Sequence, residues 1–146
     1  MKLTSNQLLQ LLDRIHAGVV VIDNDNKIVV FNELAGKMLN QDGQTRIGTS
    51  LLLCHPERAE PGVLKMIDQM KTGELDEYEG WVNFAGRILY EYIYPLRNDD
   101  GSYVGAVTEL HDGKEKAEYL KTKGEFQMPD MHGLGESSPR SPHTEG

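Results

Sequence analysis

The sequence predicts an α+β fold: a five-stranded antiparallel sheet with helices on one face and a flanking helix at the N-terminus. Two observations carry this expectation. Short β-branched and aromatic runs fall into two groups, a pair near the N-terminus and a trio toward the C-terminus, each run bounded by turn residues. A helical insert separates the groups, and strands that cluster around helices, rather than alternating with them, pair antiparallel.

The elements follow in order. Thr4-Ser5-Asn6-Gln7 reads as a capping box, a hydroxyl at the cap and a glutamine three residues on. Leu8, Leu9, Leu11, Leu12 and Ile15 then recur at helical spacing and make a broad apolar stripe, which Gly18 ends. Residues 19–23 and 27–31 form a hairpin around the turn cluster Asn24-Asp25-Asn26. Asn32 caps a short helix through Leu39, and residues 40–48 read as loop. Val63, Leu64, Ile67 and Met70 mark one face of a helix that Gly73 terminates. Strands at 78–84, 87–96 and 103–110 form a meander, with Ala85-Gly86 and Asn98-Asp99-Asp100-Gly101 as turns. The domain plan is a flanking helix at 1–17, a core domain at 18–112, a charged helical extension at 113–123 and a disordered tail at 124–146. The tail is rich in Gly, Pro and Ser and carries too little apolar surface to offset an ordering entropy of about 1–2 kcal/mol per residue.

Composition narrows the function. The 146 residues are 38% hydrophobic, enough for one core, and the net charge of −8 disfavours direct contact with nucleic acid or an anionic membrane surface. One cysteine makes no internal disulfide, no apolar run approaches the roughly 20 residues of a membrane span, and the N-terminus has no secretory h-region. The expected setting is the cytoplasm. Catalysis finds no support either: the acidic run Asp76, Glu77 and Glu79 lacks a paired base or nucleophile and reads as a solvated strand edge.

The candidate site is Cys54-His55, the only cysteine beside one of five histidines, just ahead of the helix at 61–71. A neutral imidazole is a good iron ligand, and a thiolate or thioether is a softer one. Met66 and Met70 on the following helix, with Trp81 and Tyr90 on the strands, complete the set expected around a cofactor. Simpler roles stand beside these: a polar cap for His55, inert packing for Cys54, core filling for the methionines, and ordinary sheet packing for Trp81 and Tyr90.

The opening Gly18-Val19-Val20-Val21-Ile22-Asp23 with Lys27-Ile28-Val29-Val30-Phe31-Asn32, and the closing meander with Asp100-Gly101-Ser102-Tyr103-Val104-Gly105, resemble a PAS domain over roughly residues 8–112. Cys54-His55-Pro56-Glu57 followed by Asn83-Phe84-Ala85-Gly86-Arg87-Ile88-Leu89 is similar to haem-binding PAS domains of bacterial carbon-monoxide-responsive regulators. It is also similar to other bacterial PAS domains with a Cys-His-Pro segment.

The first resemblance implies a PAS fold. The second implies haem b held by His55. Where those regulators carry a methionine as second iron ligand, this chain has Gly80 and Trp81. An iron site open to carbon monoxide, nitric oxide or oxygen is therefore expected, with Met66, Met70 or Cys54 as the alternative sixth ligand. The cysteine motif of flavin-binding light sensors is absent. The resulting expectation is a stand-alone sensory module that is not an enzyme. It would bind haem, sense a diatomic gas or redox state, and signal through an output protein. The alternatives are a cofactor-free docking module and a binder of a small metabolite. The surplus apolar stripe of the N-terminal helix further predicts a homodimer.

Overall fold

The computed structural model describes residues 1–124; the expected tail, with His132 and His143, lies outside the described residues from 125 onward. The chain runs α1 (Ser5–Arg14), β1 (Gly18–Asp23), β2 (Ile28–Phe31), α2 (Glu33–Leu39) and α3 (Gly43–Arg46). Two 3-10 turns (Leu51–Cys54 and Glu57–Ala59) lead into α4 (Glu60–Thr72). Then come β3 (Tyr78–Phe84), β4 (Arg87–Arg97), β5 (Tyr103–Asp112) and α5 (Gly113–Thr122).

The five strands form one antiparallel sheet in the order β2-β1-β5-β4-β3. The last strand therefore inserts beside the first and joins the N-terminal hairpin to the meander. Ala85 and Gly86, both at positive φ, make the two-residue turn that sets Phe84 opposite Arg87 and fixes the β3–β4 register. Gly18 admits α2 to the sheet: a Cβ there would stand 3.1 Å from both the Ala35 backbone and the Leu110 side chain.

The helices between β2 and β3 cover one face of the sheet, and α5 crosses the other, its first residue Gly113 set against Ile88. The core lies under α4 and α2, where Ile28, Met70 and Leu89 are fully buried. The C-terminus of α4 is tied down twice. Gly73 ends it in the left-handed conformation, and the Arg97 guanidinium donates to the Met70 carbonyl at 2.6 Å.

The capping box forms as expected, with the Thr4 hydroxyl accepting from the Gln7 amide and the Gln7 side chain accepting from the Thr4 amide. α3 differs from the expected loop at 40–48: Asp42 caps the Gln44 amide and starts one turn of helix. The charged extension begins at Gly113, capped by Asp112 through the Lys114 amide.

One side chain links three of these elements. Asn32 is buried, and its Oδ1 accepts from the Val19 amide of β1 at 2.8 Å and the Ala35 amide of α2 at 3.0 Å. Its Nδ2 donates to the Leu12 carbonyl of α1 at 2.7 Å and to the Ala17 carbonyl at 2.9 Å. All four hydrogen-bonding sites of the carboxamide that the geometry allows are thus used, two as acceptor and two as donor.

Asn32→Ala removes all four bonds and strands backbone groups away from water, so it is expected to cost about 3–4 kcal/mol. Asn32→Asp keeps the acceptors but turns a carboxylate toward two carbonyls, and is expected to cost about 2–3 kcal/mol at neutral pH. Urea denaturation checks both; losses below about 1 kcal/mol would show that Asn32 is not the joint described.

Candidate functional site

A cavity of about 490 Å³ lies between α4 and the inner face of the sheet. Its volume falls within the roughly 300–1,000 Å³ typical of small-molecule sites. The pleat decides which side chains reach it. On β4 the residues alternate, so Glu91 and Ile93 face the cavity while Tyr90, Tyr92 and Tyr94 face away. Val82 and Phe84 of β3, with Ala106, Thr108 and Leu110 of β5, complete most of the floor. The roof comes from α4, where Gly62, Val63, Met66, Ile67 and Met70 face down. Gly62 leaves open space, because a Cβ there would meet nothing within 4 Å.

The two 3-10 turns close one wall, and the sequence explains their placement. Residues 48–51 run beside β2, with Ile28 N–H donating to the Thr49 carbonyl and Leu51 N–H to the Asn26 carbonyl. Ser50 caps the first turn through the Leu52 amide. Leu53 is buried beneath it, and Arg46 of α3, itself buried, donates to the Leu53 carbonyl at 3.4 Å. Cys54 and His55 therefore stand on a short, anchored turn, and both border the cavity. Burial pushes the Cys54 thiol pKa up, against a smaller opposing pull from the Arg46 charge. The side chain is thus a neutral thiol rather than a nucleophilic thiolate.

His55 Nδ1 lies 3.3 Å from the Leu51 carbonyl oxygen. A carbonyl can only accept, so Nδ1 carries the proton in this bond. In the neutral ring Nε2 is then the basic nitrogen. The remaining polar groups on the walls are Arg58, Thr108 and Glu91. Among the described residues no group of three or more His, Cys, Asp or Glu side chains stands ready to hold a metal ion.

Met66 and Met70 border the cavity as expected, Met70 as a buried core residue. Trp81 and Tyr90 do not. This corrects their assignment to a cofactor pocket: both lie on the opposite sheet face, in an aromatic stripe running Trp81, Tyr90, Tyr92 and His111 with successive ring centroids 4.8–5.4 Å apart. Lys116 of α5 lies 4.6 Å from the Tyr90 ring centroid and donates to the Tyr92 hydroxyl. The stripe is therefore packing between sheet and α5. Gly80, by contrast, is on the cavity face, and the Tyr78 phenol lies over it, filling the space a side chain would take.

Sequence reasoning missed Glu91. It sits mid-floor on β4, between Leu89 and Ile93 along the strand and between Gly80 and Leu110 across it. Among the described residues no hydrogen bond or ion pair reaches its carboxylate. Burial alone pushes its pKa up to about 7. Its one legible signal is an acid standing alone between Tyr90 and Tyr92 in the longest strand.

A second, more open cleft of about 680 Å³ lies between α1, α2 and α3. Asp13, Glu33, Lys37 and Asp42 border it, and its walls are largely solvated, so it lacks the apolar enclosure of the first.

A sheet in this strand order, with a helical insert over a cavity on one face, has the architecture of a sensory domain. The family model for the PAS domain matches residues 8–112, and the chain belongs to that family. Solved structures share the fold. The C-terminal domain of a Streptococcus mutans protein is 21% identical, with a TM-score of 0.68 over 80% of this chain and 90% of that one. A Colwellia psychrerythraea PAS domain is 14% identical, with a TM-score of 0.61 over 75% and 97%. A Vibrio cholerae sensory box sensor histidine kinase is 20% identical, with a TM-score of 0.54 over 72% and 88%. No curated protein matches the chain significantly. The chain is thus a PAS domain of the sensory, signal-transducing type. No helix among the described residues is long and apolar enough to cross a membrane.

Glu91 makes a pH prediction. Its folded pKa lies above the ordinary value of 4.5, so between about pH 4.5 and 7 the folded state holds a proton that the unfolded state has lost. Stability therefore falls as pH rises through that window, by up to about 3 kcal/mol. Glu91→Gln is expected to remove most of that decline and to be the more stable protein at pH 8. Urea denaturation at pH 5 to 8 checks this; parallel curves for the two proteins would refute it.

Proposed function

We propose that this PAS domain senses a small molecule held in the cavity under α4, and that the occupant is haem b, whose iron His55 would hold. The observation that carries the reading is His55 at the cavity wall with Nδ1 bound to the Leu51 carbonyl. Iron-ligating imidazoles are oriented by such a bond on the other nitrogen, which fixes the tautomer and raises ligand basicity. Met66 and Met70 would pack against the group from α4, Arg58 offers a cation for an acidic substituent, and Gly62 leaves room. Haem would supply an iron whose gas or redox state constitutes the signal, carbon monoxide, nitric oxide and oxygen being the candidate gases. Gly80 and the Tyr78 ring over it offer no thioether from the sheet side.

The route outward follows from the fold. Val20 and Phe31 border the cavity, and each is next in sequence to a residue of the Asn32 joint. A shift of either wall residue moves the seat of α1. We read α1 as the output element: Leu8, Leu9 and Leu11 are exposed on it, and no residue of the helix is buried. The proposed partners are a second copy of the chain, packed through α1, and an output protein in the cytoplasm. No catalytic role is proposed.

A second reading is favoured by Glu91. A carboxylate without a partner on an apolar floor suits a colourless metabolite that brings its own donor. Adding haem to the purified chain separates the two. A Soret band that disappears in His55→Ala and persists in Cys54→Ala supports the haem reading. Equal haem uptake by His55→Ala would end the assignment of His55.

The proposed dimer has its own test. Leu8→Glu with Leu11→Glu places charge on the exposed face of α1 and is expected to give a single-chain mass by light scattering at micromolar concentration. A wild-type protein that already has that mass would sink the idea.

A further inference from the structure

We propose that Glu91 is a recognition point in the cavity for a planar ligand with an apolar body and an N–H donor, such as an N–H heterocycle. The inference deepens the second reading above and rests on the cavity being a ligand site. Three observations carry it. The cavity is walled mainly by apolar side chains, so most of an occupant's surface would contact hydrocarbon and thioether. Within that wall Glu91 is placed at the centre of the floor, on the strand between β3 and β5, with Leu89, Ile93, Gly80 and Leu110 as its sheet neighbours. No group of the described fold hydrogen-bonds to it, whereas the carboxamide of the buried Asn32 is fully used by the backbone.

The titratable groups around the cavity near Glu91 are few. Arg58 and His55 belong to the turns at the wall, Cys54 to the same wall, and Tyr78 to β3. Burial raises the Tyr78 hydroxyl pKa, and the Glu91 charge adds a smaller push in the same direction. None of these satisfies the carboxylate, and burial is the sole cause of its raised pKa. A half-buried acceptor on a cavity floor without a donor is what a site leaves open for a ligand that supplies one, and it discriminates against an isostere that does not. Thr108, on the neighbouring strand β5, adds a hydroxyl on the same floor for a second polar atom.

The test uses two probes of one shape: indole, with an N–H, and benzofuran, with an acceptor oxygen at the same position. Their dissociation constants for the full chain without haem are measured from amide shifts in NMR spectra at pH 8. Indole is expected to bind at least tenfold more tightly. In Glu91→Leu and in Glu91→Met, which suit the apolar floor, the two constants should come within twofold of each other. In the wild type at pH 5, with Glu91 protonated, the preference should fall at least threefold. Gly62→Leu, which grows into open space over the floor, should remove the binding of both probes.

Equal affinities in the wild type, or a preference that survives in both Glu91 variants, would overturn the role of Glu91 while leaving the cavity as the binding site. Binding that survives Gly62→Leu, or no binding of either probe by the wild type, would overturn the cavity reading itself and this inference with it.

Discussion

The domain depends on one buried carboxamide. Asn32 ends β2, caps α2, secures the first amide of β1 beyond Gly18 and grips the carbonyls at the end of α1 and at Ala17. Its four bonds to backbone, three of them buried, join three elements through one side chain. A polar group in this position has a strict requirement. Every lone pair and proton it brings must find a partner, because an unmet one costs far more than a met one returns. The requirement is satisfied only when α1, β1 and α2 hold the observed mutual placement, so the residue specifies that placement as well as stabilising it. It also couples a surface helix to a cavity wall. Phe31 and Val20 touch the cavity, and the adjoining residues Asn32 and Val19 are joined by one of the four bonds.

The sheet separates two chemistries by the alternation of its strands. On β4, odd-numbered residues look into a cavity and even-numbered ones into an aromatic layer under α5. The two faces differ in how their polar groups are treated. Outside, Tyr94 donates to Glu109 at 2.6 Å and Tyr90 to Glu79 at 3.0 Å, so hydroxyl and acid satisfy each other. Inside, Glu91 is left to the cavity. Unpaired polar atoms also occur away from the cavity, on Asn26, Asn83 and Tyr103, but Glu91 is the one carboxylate among the residues that line it.

The sequence disclosed the strands, the capping box and the turn chemistry, because each of these is a local pattern with a local cause. It disclosed Asn32 as a helix cap but not its grip on Leu12 and Ala17, since those carbonyls reach it only through the packing of α1. The single turn at 43–46 went unread because four residues that open on glycine carry no periodicity, and only the Asp42 cap marks them. Trp81 and Tyr90 were placed on the wrong side for a definite reason. Alternation shows that Tyr90, Tyr92 and Tyr94 share a face but not which face meets the helices. Both faces here are apolar enough to be core. The tight turn at Ala85-Gly86 pairs Trp81 with Tyr90 and Val82 with Leu89, so it groups the residues correctly and still leaves the two groups interchangeable. His55 and Cys54 do border the cavity, because a turn that must seat Leu53 in the core brings its following residues to it.

The position of Trp81 has an optical consequence. It is the only tryptophan in the chain, and it stands on the far side of the sheet from the cavity, edge-on to Tyr90. An occupant would not touch the indole ring, yet Val82 beside it on β3 belongs to the cavity floor. Its emission therefore reports on the strand's reverse surface and senses an event in the cavity only through movement of the backbone. A change in its wavelength or intensity would be a direct view of displacement crossing the sheet, while direct quenching by a coloured occupant would act through space across one layer of β-structure. The native chain thus carries a fluorophore that can separate transmitted motion from simple occupancy.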